Sequence, residues 1–410
     1  MKLSINQLGV YTLFLGLAGY LLFLPFGPYP IHIGGQLKLD VAFAVLLLMT
    51  CSFYFSRILY YPNILLMSFA LYLGITYISV VFSVDISKSF NGWLIMLGYS
   101  LIAFTVPLLL IGYESVIRFY VFFVAVVAAA VVLTLYYFYG YGEVGRFALG
   151  EKALPKGEAA SLGYATVDPN MTAAGLYLAL LIYLPNVLIR RKSIKVKLVE
   201  ISGLILIFSA GLITSSRSAL VGLLGAILLS SLMVFLKNVF YLRINYEFIL
   251  RVIAFVFLFL LMLIFSYTIL PDRWESIYKK LLNSPLDESR LRIIGEAISV
   301  YTSGVKEMII GSGYLTNNPH NEFLRAAAST GTLGLISLIM FCLLLCFHVF
   351  KAVAEKPTLF FSATSIIFYI FIITLFYGYS KLLWIAVMFL LILYWQGCRL
   401  NIEKSYFSRL

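Results

Sequence analysis

Long uninterrupted apolar blocks recur from one end of the 410-residue chain to the other. No other feature limits its fold as strongly. The blocks run to about 18–22 residues, the length of one helical crossing of a bilayer. Only helices and closed barrels satisfy their peptide groups in lipid, and the alternating pattern of barrel strands is absent. The chain is 62% hydrophobic and 12% charged, about half the charge of a soluble domain, which carries roughly 25%. The expected fold is therefore an all-α polytopic membrane protein, one integral domain over 1–410.

About twelve spans are expected. They lie near 8–26, 37–56, 63–83, 92–111, 116–141, 171–189, 199–214, 218–236, 252–270, 331–350, 359–376 and 382–396. The first block has no small-residue cleavage site after it and reads as a retained span. Two long polar loops follow from this count, at 142–170 and 271–330. Of the thirty Lys and Arg residues, ten lie in those two loops, which do not set orientation. Four others (Lys38, Lys88, Arg217 and Lys381) share their side, and the remaining sixteen lie opposite, with the termini. The positive-inside rule then places both termini in the cytoplasm and both long loops outside. The net charge of +12 reads as this topogenic bias rather than as a nucleic-acid footprint.

The loop at 142–170 ends in Asp168-Pro169-Asn170. Proline after a capping residue starts helices, so Asp168 is expected to cap the sixth span, with Asn170 a candidate substrate contact. Spans seven and eight meet at Thr214-Ser215-Ser216-Arg217. Arg217 therefore lies at or just below the outer surface, where it either snorkels to lipid phosphate or turns its planar fork into a polar cavity to hold a phosphate. In the second loop, 272–282 is amphipathic and suits the membrane surface. Leu291, Ile294, Ile298 and Tyr301 then repeat at helical spacing. Arg290 and Arg292 fall on roughly opposite faces of that helix, so both reach one ligand only if the helix starts between them.

Gly311-Ser312-Gly313 breaks the structure, and Asn318-Pro319 reads as a cap and first helical position. His320 is then expected in the first turn of a helix running into span ten. The partial positive charge there keeps an imidazole neutral and able to accept a proton, and it attracts anions. The alternative is a satisfied interfacial histidine. His32 and His348 have no such company. The four cysteines have no metal-ligand spacing, and Cys342 and Cys346, one turn apart, read as packing. No zinc-protease, Walker or intramembrane aspartate pattern is present. Neither a metal nor a cofactor is expected.

These residues carry a resemblance. Asn-Pro-His320-Asn321-Glu-Phe-Leu with Gly331-Thr-Leu-Gly334, the order Arg290, Gly311-x-Gly313, His320, the Ser-Arg217 pair at a span boundary, and Gly163 through Asp168-Pro169-Asn170 together resemble the bacterial O-antigen ligase and O-antigen polymerase superfamily. The resemblance covers about residues 140–345. It implies a GT-C-like fold, with the helical loop between spans nine and ten periplasmic. It also implies metal-independent glycosyl transfer outside the inner membrane in polysaccharide or lipopolysaccharide biosynthesis, from an undecaprenyl-pyrophosphate-linked glycan to a glycan or lipid A-core acceptor. His320 would be the general base and Arg217 and Arg290 the pyrophosphate ligands, with Asn321, Asp168 and Asn170 in support. One departure is that the arginine many members carry a few residues before the Gly of the Asp-Pro-Asn stretch is missing, the nearest basic residues being Lys156 and Arg146. The Asp-Pro-Asn stretch favours a polymerase over a ligase. A lipid-linked oligosaccharide flippase is the reading from another class. It predicts broken helices and an internal repeat, and no repeat is visible. Contact with other polysaccharide-assembly membrane proteins would follow from any of these roles.

Overall fold

The structure is a computed structural model. It describes residues 32–33, 37–52, 55–139, 169–189, 193–214, 216–240, 246–271, 288–313, 321–376 and 380–407, with Gly16 and four positions between 274 and 278. A two-residue antiparallel ladder, β1 (His32–Ile33) with β2 (Leu37–Lys38), precedes α1 (Leu39–Ser52) and a 3-10 turn, Phe55–Tyr60. The rest of what is described is helical. In chain order the helices are α2 (Asn63–Val81), α3 (Ile86–Leu109), α4 (Glu114–Tyr139), α5 (Pro169–Ile189), α6 (Ile194–Ile213), α7 (Arg217–Phe240) and α8 (Tyr246–Ile269). There follow α9 (Glu288–Tyr301), α10 (Val305–Ile310), α11 (Glu322–Val353), α12 (Pro357–Phe376) and α13 (Ser380–Phe407).

Among the described residues, 8 helices are long and apolar enough to cross a membrane: α2, α3, α4, α6, α7, α11, α12 and α13. The chain is thus an α-helical, multi-pass membrane protein suited to a lipid bilayer. The expected spans at 37–56, 171–189 and 252–270 are helical over shorter described apolar stretches. The first expected span, 8–26, lies outside the described residues apart from helical Gly16.

The chain forms two compact units. One comprises Met1–Thr50, Gly112–Pro285 and Glu355–Tyr369. Its interior is α4, α5 and α6 packed together around the stacked rings of Phe122 and Tyr183, 4.1 Å between centroids. Glycines bring α6 in: a Cβ on Gly203 would strike the Phe122 ring, and one on Gly211 the Tyr177 ring. Three polar side chains buried here bond across helices. The Tyr183 hydroxyl donates to Glu200, the Arg118 guanidinium to the Asn186 amide oxygen at 3.3 Å, and the Tyr369 hydroxyl to the Ala174 carbonyl at 3.0 Å.

The other unit comprises Cys51–Ile111, Leu286–Ala354 and Ile370–Leu410. Phe69 of α2 stacks on Phe104 of α3 at 4.5 Å, and Phe341 of α11 and Trp384 of α13 close the cluster. The buried Tyr61 hydroxyl donates to the Phe104 carbonyl at 2.9 Å, so the chain entering α2 is tied to α3. Pro107 sits inside α3 without ending it.

Candidate functional site

In the second unit, α11 is two rods in series. Gly331 has φ 69° and ψ −173°, left-handed on φ, so the helical hydrogen-bond ladder is interrupted there. The break leaves carbonyls of the preceding turn without their usual amide partners. The chain after α10 supplies them: Ser312 N–H donates to the Ala328 carbonyl at 3.1 Å and Gly313 N–H to the Ser329 carbonyl at 3.0 Å. The Ser312 hydroxyl adds a bond to Ala328. Backbone lies against backbone here, and only glycine fits. A Cβ on Gly311 would collide with the Ser329 carbonyl, and one on Gly331 with the Ile309–Ile310 peptide. Gly311 also has φ 79°. The hydroxyl of Ser79 in α2 donates to the Ile310 carbonyl at 2.5 Å, and Thr332 donates to Met308 at 2.8 Å. The Gly-Ser-Gly stretch is thus a clasp onto the break in α11.

The start of α11 differs from the expected one. Its first helical residue is Glu322 and its cap is Asn321, with φ −142° and ψ 119°. The Asn321 side-chain oxygen accepts from Leu324 N–H at 2.9 Å, and its amide donates to the Leu375 carbonyl at 3.0 Å. The cap was expected at Asn318 with Pro319 first in the helix. It falls three residues later because Asn321 satisfies the amide at its third following position, as a capping asparagine does. His320 therefore precedes the cap instead of lying in the first turn, and it is itself outside the described residues.

Sequence reasoning missed the pair behind this cap. Glu322 and Arg325 are both buried, 3% and 4% exposed, and their side chains form an ion pair one turn apart. The second Glu322 oxygen, Oε2, is buried without a hydrogen-bond partner. The Glu-x-x-Arg spacing is a recognised helical pair and was the available signal. What it does not reveal is burial, since such pairs are usually solvated.

Arg217 belongs to the first unit and is the first residue of α7. It is half-buried. Before it, the Thr214 hydroxyl donates to the Gly211 carbonyl at 2.7 Å and accepts from Ser216 N–H at 3.3 Å. Ser216 stands where a capping serine belongs, yet its hydroxyl is buried without a partner, and so is that of Ser218. They are 2% and 7% exposed. A guanidinium, two idle hydroxyls and the N-terminal end of a 24-residue helix are all donors, which is the chemistry of an anion site.

Arg290 and Arg292 both lie inside α9, which begins at Glu288, so the two positions fall on opposite sides of one helix. The Arg292 side is solvent: its side chain is 76% exposed and meets Glu296 at 3.6 Å. The Arg290 side chain, like Asp168, is outside the described residues. Asn170 is buried in the first turn of α5, which starts at Pro169 as expected. Arg290 and Asn321 belong to the second unit, Arg217 and Asn170 to the first. Among the described residues, no group of three His, Cys, Asp or Glu side chains is placed to hold a metal ion.

Fold and site together define a helical multi-pass membrane protein. No protein-family model matches the chain, and no curated protein matches it either.

Proposed function

We propose that the protein is a polysaccharide-assembly glycosyltransferase of the O-antigen polymerase and ligase type, a surface-polysaccharide polymerase before a ligase. The observation that carries this reading is the start of α7. Arg217 is the first residue of that helix, and its sequence neighbours Ser216 and Ser218 each bury a hydroxyl that has no protein partner. Buried polar atoms are nearly always satisfied, so idle donors beside a cation and a helix N-terminus suit a phosphate group.

In this proposal, twelve spans form a GT-C-like fold in the bacterial inner membrane, with both termini cytoplasmic and the loops at 142–170 and 271–330 periplasmic. The donor is an undecaprenyl-pyrophosphate-linked glycan. His320, just before the α11 cap, takes the proton of an acceptor sugar hydroxyl. The hydroxyl oxygen attacks the donor anomeric carbon as the bond to the pyrophosphate oxygen breaks. Undecaprenyl pyrophosphate leaves with the electron pair, its charge held by Arg217 and Arg290. The imidazolium then releases its proton to water. No metal enters this scheme.

Purified protein is incubated with lipid-linked repeat units, with and without a lipid A-core acceptor. A ladder without that acceptor identifies a polymerase, and a single transfer onto the core identifies a ligase. Donor movement across a liposome with no product identifies a flippase and rejects both. His320→Ala should abolish transfer while leaving insertion and monodispersity intact. Full activity in that variant removes the base from the scheme.

A further inference from the structure

The geometry points to α10 and the turn 82–86 as a shelf that inserts into the headgroup–acyl boundary of one leaflet, holding the Gly311–Gly331 clasp to the bilayer. The inference rests on the membrane-spanning reading of α2 and is independent of the proposed chemistry.

The residues on the unpacked side of α2 form a stripe. Ile64, Met67, Leu71, Ile78 and Val81 are exposed, at alternating steps of three and four. Gly74 completes the series, with nothing within 4 Å of where its Cβ would be. On a helix that crosses a bilayer, such a stripe is what faces lipid. It does not stop where α2 ends. Phe82 and Val84 continue it, and Val84 is 95% exposed.

The six-residue α10 then lies alongside. Its Lys306 ammonium donates to the Phe82 carbonyl at 2.8 Å, and its last carbonyl, Ile310, accepts from Ser79 of α2. Val305, Met308 and Ile309, at helical spacing on one side of α10, are exposed, Val305 at 73%. These residues adjoin the end of the lipid-facing stripe and prolong it. Left in water, they would be an apolar patch of the kind that soluble surfaces avoid.

The rim decides which lipid property matters. Lys306 lies 3.7 Å from Glu307, and Asp85, whose carboxylate caps α3, is followed by Lys88. The charges cancel, two against two, so insertion is apolar in origin and does not require anionic lipid. An interfacial helix of this kind reaches about 5–10 Å below the headgroups.

The test uses nitroxide labels on single cysteines in a chain whose four native cysteines are replaced, reconstituted into phosphatidylcholine nanodiscs. Labels at Val84→Cys and Val305→Cys should collide severalfold more often with dissolved oxygen than with a water-soluble nickel chelate. Adding phosphatidylglycerol should change nothing. Met67→Cys is the lipid reference and Glu296→Cys the water reference. Equal nickel access at Val305, Val84 and Glu296, with Met67 still lipid-exposed, overturns the shelf. Nickel access at Met67 as well overturns the membrane reading of α2 instead. A gain in lipid contact only with phosphatidylglycerol replaces the apolar mechanism with an electrostatic one. Quenching of Val84→Trp by brominated phosphatidylcholine, in a chain whose four native tryptophans are replaced by phenylalanine, reads the same depth with the native cysteines in place, and absence of quenching overturns the proposal.

Discussion

Two buried polar arrangements lead to opposite predictions. Glu322 and Arg325 are held by each other. Removing one partner leaves a charge buried and costs about 3–5 kcal/mol, whereas replacing both with apolar residues of similar volume is near neutral. Glu322→Leu alone should therefore lower the melting temperature in detergent strongly, and Glu322→Leu with Arg325→Met should recover most of the loss. Ser216 and Ser218 predict the opposite pattern. Their hydroxyls bond nothing in the protein, so Ser216→Ala and Ser218→Ala should leave stability unchanged. A capping serine lost to alanine would instead cost about 1 kcal/mol. If the hydroxyls donate to the donor's phosphates, each substitution should raise the donor KM by about ten- to a hundredfold, since a hydrogen bond to a charged group contributes about 1.5–3 kcal/mol. Steady-state kinetics over a donor series checks this. Arg217 could be read from the sequence because an arginine at a span boundary needs a reason. The serines beside it could not, because only coordinates show that a serine at a capping position caps nothing.

At the scale of elements, the spans were legible because lipid imposes a length and an apolar composition together. The break in α11 was not. Gly331 reads in sequence as a small residue easing helix approach, and Gly334 beside it has that kind of spacing. Their neighbours differ: Gly334 makes room for the Thr330 side chain of its own helix, while Gly331 turns left-handed against α10. Gly331→Ala should be the harsher change. Its dihedral alone costs of order 1–3 kcal/mol, and the new methyl meets the Ile309–Ile310 backbone, which cannot step aside. Circular dichroism melts and size-exclusion profiles of Gly331→Ala against Gly295→Ala check this, because Gly295 has open space around it. The start of α11 was misplaced by three residues for a local reason. Asn318-Pro319 and Asn321 both carry cap chemistry in the sequence, and the bonds that single out the second, from Leu324 N–H to its side-chain oxygen and from its amide to the Leu375 carbonyl, are visible only in the structure.

For the whole molecule, composition and block length led to a helical multi-pass membrane protein, and the described helices bear that out. The division into two units was not foreseen, since it depends on which helices pack together and long-range packing leaves no periodic trace. The topology carries its own prediction, argued from the asymmetry of Lys and Arg rather than from any contact. A green fluorescent protein fused after residue 410 should fluoresce in intact bacteria, and alkaline phosphatase inserted near residue 155 should be active. Inactive phosphatase there would invert the orientation and remove the periplasmic loops from the proposal.

The clasp at Gly313 also turns the chain into a closed circuit. Gly313 N–H and the Ser329 carbonyl are joined by a 3.0 Å hydrogen bond, so the stretch between them begins and ends at one point. What lies between includes the proposed base and the cap that follows it. The proposed base is thus carried on a stretch whose flanks are joined to each other, Gly313 to Ser329, and not only to the helices on either side.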